Sequence, residues 1–134
     1  MYIFVYGTLK QGFRNAGLLR DAEFISKATT THAKYRMVTF DSEKQGHTYP
    51  ALFDDGTCFA TGEVYKITSD ILKGLDALER EGDRYLRRPI DLDYDQGLTL
   101  PCEVYISTEC ARPHLDGKDL DYCLKANTYA YTIK

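Results

Sequence analysis

The sequence predicts one β-rich domain, between an all-β and an α+β class, in which a curled or barrel-like sheet packs against a helix. Three observations carry this expectation. The chain has 134 residues, enough for one hydrophobic core and short of the length at which a second domain is expected, so 1–134 reads as a single domain. Apolar runs of strand length recur between glycine-containing turns, and only SDILKGLDALEREG has firm helical periodicity. No repeat, linker or low-complexity segment interrupts it.

The first element, Tyr2 to Tyr6, is apolar, rich in β-formers and bounded by Gly7, which marks a strand covered on both faces. The polar stretch GTLKQG follows, and Phe13 to Leu19 is weakly helical. Tyr35 to Phe40 is a strand candidate. DSEKQGH then has loop composition, TYPALF resumes apolar character, and DDG at Asp54 to Gly56 reads as a turn, so this part looks like a meander. From Cys58, CFATGEVYKI has strand composition, with Gly62 as a bulge or a place where another backbone or a ligand comes close. In the helix, Ser69 is a plausible N-cap, Leu72, Leu75 and Leu78 point inward, and Gly82 is a stop. YLRRPIDLDY and LPCEVYIS flank DQG as a hairpin, with Pro89 and Pro101 near strand starts or on an edge. DGKDLDYCLKA reads as a last helix turn or two, and TYAYTI as a terminal strand.

Composition excludes several function classes. Seventeen basic against twenty acidic residues give a formal charge of -3, which makes nucleic acid a poor partner. No apolar run approaches the roughly 18 residues of a membrane span, and no export leader is recognisable, so a soluble cytoplasmic protein is expected. Cys58, Cys102, Cys110 and Cys123 show no CxxC pair and no ligand rhythm with His32, His47 or His114, so they read as free thiols in a reducing compartment. The opening loop lacks the spacing of a phosphate-binding loop or a dinucleotide fingerprint. There is also no G-x-S-x-G elbow and no H-E-x-x-H. No cofactor or metal is therefore implied, and a reaction run by one carboxylate remains open.

That carboxylate stands out on the helix. With Ile71 set at zero and about 100° per residue, Leu78 falls near about -20°, Leu75 near about 40° and Leu72 near about 100°. Glu79 falls near about 80°, between two leucines, whereas Lys73, Arg80 and Glu81 fall outside the arc. Taken alone, the wheel favours a paired or frayed-end glutamate. A catalytic one also fits, because burial raises a carboxyl pKa toward the range of a base acting near neutral pH. Arg80, Arg84, Arg87 and Arg88 follow closely and could orient a carboxylate. Alternation in YLRRPIDL puts Tyr85 and Arg87 on one side of a strand.

VYGTLKQGFRNAGLL at Val5 to Leu19, PALF, GEVY at Gly62 to Tyr65, and LDALE followed by YLR at Leu75 to Arg87 occur in one order along the chain. Together they resemble the γ-glutamylcyclotransferase-like family, with the short γ-glutamylamine cyclotransferase branch nearest in flavour. The resemblance implies an α+β fold, a small mixed β-barrel with a packed helix. It also implies an activity: the α-amine of a small γ-glutamyl substrate attacks its own γ-carbonyl, forming 5-oxoproline and releasing the attached amine, amino acid or peptide without metal or water. Carried over residue by residue, Glu79 is the general acid/base and Tyr6, Gly7, Thr8 and Leu9 form the pocket loop, while Tyr85 and Arg87 help close the pocket. The charged EREGDR segment departs from the family pattern, which leaves substrate selectivity open, as is the oligomeric state. A non-catalytic protein that binds or sequesters a small molecule in the same pocket is the alternative. A different amide-rearranging reaction is a third reading, with selectivity set by loops around residues 41–49 and 107–120.

Overall fold

The computed structural model describes residues 1–13, 15–41, 48–79, 82, 84–95, 97, 99–108 and 118–132. The DSEKQGH loop beyond Asp41, Arg14, Arg80, Glu81, Gln96, most of 107–120, Cys110, His47 and His114 lie outside these. In chain order the elements are β1 (Tyr2–Val5), a 3-10 turn (Ala16–Leu19), β2 (Glu23–Thr30), β3 (Tyr35–Asp41), β4 (Thr48–Lys66), α1 (Ser69–Glu79), β5 (Tyr85–Ile90), β6 (Leu92–Tyr94), β7 (Cys102–Ser107), β8 (Leu120–Cys123) and β9 (Thr128–Tyr131). The fold is α+β: a mixed sheet with one helix among the described residues.

β4 organises the sheet. Its nineteen residues pair in turn with β3, β9, β2 and β1, and the main path runs β5-β7-β1-β4-β2-β6. The path is not closed, because no ladder joins β5 to β6 among the described residues. Barrel is thus a loose term for it. Those two edge strands are nevertheless consecutive in the chain, separated only by Asp91, so the backbone itself passes from one edge to the other. All nine strands contribute to one buried cluster, including Phe4, Ala28, Met37, Leu52, Ile90, Tyr94, Val104, Leu120 and Tyr131, which the sheet curls around.

The other face of the sheet carries α1. Ile3 and Val5 point there to meet Leu75, Tyr85 and Tyr105, while Phe4 and Tyr6 point inward. β1 is therefore covered on both faces, which is why its sequence lacks polar alternation. Leu75, at 0% exposure, anchors the helix; truncating so enclosed a leucine typically costs about 2–5 kcal/mol.

Several expectations are corrected. Asp54 to Gly56 is not a turn between strands but an outward excursion within β4: Arg36 lies opposite Phe53 and Tyr35 opposite Cys58, so four β4 residues bulge between one pair of neighbours. A β-carbon on Gly56 would stand 2.2 Å from the Tyr35 carbonyl oxygen, which explains the glycine there. The helix is capped by Thr68 rather than Ser69, its Oγ1 accepting the Ile71 N–H at 3.3 Å. Leu78 is 41% exposed, so the buried face is centred on Leu72, Leu75, Asp76 and Glu79. The hairpin is real as the antiparallel β5–β7 pair, but β6 leaves it to pair with β2. In DGKDLDYCLKA the described part is strand β8, and the terminal strand is β9. Pro89 lies on edge strand β5, and Gly62 is where β1 comes close, the Val5 carbonyl oxygen standing 2.3 Å from a β-carbon built there. No helix among the described residues is long and apolar enough to cross a membrane.

Candidate active site

β1 ends at Val5, and the chain turns at once into the wall of a cavity of about 460 Å³. Tyr6, Gly7, Thr8 and Leu9 form that wall. Leu78 and Glu79 from the end of α1, Tyr49 and Pro50 from β4, Arg84 and Tyr85 at the start of β5, and Tyr105 from β7 enclose the rest.

The loop is held from several directions. The Lys10 N–H donates to the Gly7 carbonyl at 3.1 Å, and Asn15 clamps Thr8 with its N–H on the carbonyl (2.7 Å) and Nδ2 on Oγ1 (2.8 Å). Further along, the Gln11 N–H donates to Glu63 Oε1 at 2.8 Å and Lys10 Nζ donates to the Tyr131 carbonyl at 2.7 Å. The N–H groups of Gly7, Thr8 and Leu9 engage no acceptor among the described residues. The backbone lies tight against β4, since a β-carbon on Gly7 would sit 2.5 Å from Pro50 Cγ.

Tyr6 is buried and fully used: its hydroxyl donates to the Tyr105 carbonyl at 2.8 Å and accepts the Leu52 N–H at 3.3 Å. Burial, then the nearby Glu79 charge, raises its pKa well above the ordinary tyrosine value. Tyr85, also buried, donates from its hydroxyl to the Pro50 carbonyl at 3.2 Å and so braces the opposite wall.

Glu79 is partly buried at the cavity end of α1, and desolvation pushes its carboxyl up to about 7. No ion pair or hydrogen bond to its carboxylate is found among the described residues. Arg87 is not in the cavity wall. Its Nη1 donates to both Asp76 oxygens at 2.7 Å and its Nε to Glu103 Oε2 at 2.7 Å. Tyr85 and Arg87 do share one face of β5, toward α1, but only Tyr85 reaches the cavity.

Of the residues singled out from sequence, Tyr6, Gly7, Thr8, Leu9, Glu79 and Tyr85 therefore converge and Arg87 does not. Arg84, one of the arginines read as able to orient a carboxylate, also lines the cavity, whereas sequence reasoning missed Asn15, Tyr49, Pro50 and Tyr105 as wall residues.

The fold is that of the γ-glutamylcyclotransferase-like class. Residues 3–126 match the family described as gamma-glutamyl cyclotransferase, AIG2-like. The chain belongs to that family and is an enzyme of this kind. It is 31% identical over 115 residues to a Methanocaldococcus jannaschii protein named "Putative gamma-glutamylcyclotransferase", covering 81% of this chain and 85% of that one. In structure it is similar to a mouse AIG2-like protein (TM-score 0.66, 23% identity, 99% of this chain and 87% of the other). It is also similar to an uncharacterized Pyrococcus horikoshii protein (TM-score 0.63, 19% identity, 86% and 85%). At these identities the two structures speak for the fold alone.

Proposed function

We propose that this cavity converts a small γ-glutamyl compound to 5-oxoproline, releasing the attached amine, amino acid or peptide, with Glu79 as general acid/base. One observation carries the reading: Glu79, its carboxyl raised to about 7, lines the same cavity as Gly7, Thr8 and Leu9, whose N–H groups engage no acceptor among the described residues.

The reaction needs a base for the substrate's α-ammonium, which titrates near about 7.7–8.0. A carboxyl near 7 takes that proton about one pKa unit uphill, whereas one at the ordinary 4.5 would do so about 3.4 units uphill. The difference is about 3 kcal/mol of barrier. The freed amine attacks the γ-carbonyl carbon, forming the ring C–N bond while the carbonyl oxygen takes the electron pair. Backbone N–H groups of the loop are suited to that oxygen or to the substrate's α-carboxylate, and the glycine keeps a side chain out of the way. Collapse of the intermediate re-forms the carbonyl and breaks the bond to the leaving amine, which receives the proton from Glu79, and the ring nitrogen then passes its second proton to the regenerated Glu79 carboxylate, leaving the neutral lactam. The half-open cavity, lined by Tyr6, Tyr49, Tyr85 and Tyr105, favours the folded conformer in which amine and carbonyl meet.

The test is incubation with γ-glutamyl-amines, γ-glutamyl-amino acids and glutathione while 5-oxoproline is measured. Turnover in at least one class, lost in Glu79→Gln, is expected; undiminished turnover in that variant would remove Glu79 as the base. The panel also identifies the leaving group.

A further inference from the structure

We infer that Tyr105 is a positioning residue that holds the two working walls of the cavity in register, through its carbonyl on the loop side and its hydroxyl on the helix side. The inference rests on the assignment of Glu79 and the loop proposed above.

Tyr105 is 3% exposed in the middle of β7, with its side chain on the cavity. Its carbonyl accepts the Tyr6 hydroxyl at 2.8 Å, and Tyr6 immediately precedes the Gly7–Leu9 donors. Its own hydroxyl donates to Asp76 Oδ1 at 2.6 Å, a short charge-assisted bond. Asp76 lies three residues before Glu79, so the two are neighbours on one helix face. One residue thus touches the element that places the donors and the helical turn that places the base.

The helix side of this link is over-determined. Asp76 also accepts Arg87, Arg87 donates to Glu103, and Glu103 stands two residues before Tyr105 on the same face of β7. Hydroxyl, carboxylate, guanidinium and second carboxylate form a circuit closed through the β7 backbone. A tyrosine that merely fills the core would need only some partner for its hydroxyl. Here the partner is the carboxylate one turn from the base, fixed independently by an arginine, so rotation or sliding of α1 relative to β7 breaks several bonds together.

Tyr105→Phe removes only the hydroxyl, leaving the ring in the wall and the carbonyl on Tyr6. The measurement is kcat and KM for 5-oxoproline formation, at a temperature where circular dichroism shows each variant folded. The expected result is a kcat lower by roughly 10- to 100-fold with KM within about twofold, since misplacing a reacting group mainly weakens the transition state. Asp76→Ala should lower kcat at least as much, and the double variant should fall no further than Asp76→Ala alone. Asp76→Asn, which keeps an acceptor for the hydroxyl, should recover part of the loss. Wild-type kcat in Tyr105→Phe, or single-variant losses that multiply in the double variant, would overturn the inference. Glu79→Gln measured alongside separates the failures. Full turnover there removes the base, whereas a silent Glu79→Gln with an unaffected Tyr105→Phe overturns the positioning role alone.

Discussion

Gly7 and Pro50 pack so closely that residue 7 has no room for a side chain: an added β-carbon would stand 2.5 Å from Pro50 Cγ and 2.9 Å from Cδ. A proline ring on a paired strand cannot swing away as a flexible side chain would, so the loop must yield instead. Gly7→Ala is expected to destabilise the protein by about 1–3 kcal/mol, the usual range for overpacking. It should also lower kcat by about 100-fold or more if the Gly7–Leu9 N–H groups serve as proposed, because they shift with the loop. Thermal melting and 5-oxoproline formation read the two effects separately.

With Glu79 as the proposed base, activity and stability should respond to pH in opposite directions. Its folded-state carboxyl titrates at about 7, above the ordinary 4.5, so the folded protein holds a proton that the unfolded chain has lost between those values. Stability is therefore greatest below about pH 4.5 as far as this group is concerned, and declines as pH rises through about 7, by at most about 3 kcal/mol. As the proposed base, Glu79 must be ionised to act, so kcat/KM should climb through the same region. Glu79→Gln should lose about 100- to 10,000-fold in rate, yet melt higher than the wild type at pH 8 and nearly level with it at pH 4.5.

Glu63 is buried on β4, where Oε1 accepts both the Gln11 N–H at 2.8 Å and the Tyr65 hydroxyl at 3.1 Å. Glu63→Ala should cost about 1–3 kcal/mol by leaving the buried Tyr65 hydroxyl without its acceptor, and by releasing the Gln11 N–H it should loosen the far end of the cavity loop. Glu63→Gln retains an acceptor oxygen and should recover most of the stability and rate. Equal melting points for the two variants would contradict the hydrogen-bonding role.

Arg87 ties α1 to β5 and β7 rather than reaching into the cavity, so its removal should act on stability first. Arg87→Ala is expected to lower stability by about 1–2 kcal/mol, since its partners Asp76 and Glu103 are only partly screened by solvent. KM should stay within about twofold of wild type. A large rise in KM with unchanged melting would instead mark Arg87 as a substrate ligand.

What could be read from the sequence depended on whether burial left a hydrophobic trace. β1 and α1 were readable because Ile3, Phe4, Val5 and Leu75 are large and enclosed. β2 was not, because its inward residues Ser26, Ala28 and Thr30 are small or polar while Phe24 lies outward, stacked edge-on against Tyr65. Asp54–Gly56 has turn composition, but its polar residues bulge to solvent without reversing the chain. The helical wheel found Glu79 yet placed the buried arc too near Leu78. Centred on Leu72, Leu75 and Asp76, the arc has Glu79 near its middle. The role of Arg87 depended on Asp76, eleven residues away on another element, and no local pattern encodes that pairing.

The Tyr6–Leu9 wall of the cavity is made by residues early in the chain but depends on some near residue 131. Tyr2 stands opposite both Lys66 and Cys102, and Lys10 reaches Tyr131 across 121 positions. Such distant pairings must close long loops before they return any stabilisation, which puts a chain of this topology toward the slower, millisecond-to-second end of domain folding. Competence for chemistry should therefore appear late in refolding: α1 can form from its own sequence, but the loop that faces Glu79 is aimed only when β4, β7 and β9 have closed behind it.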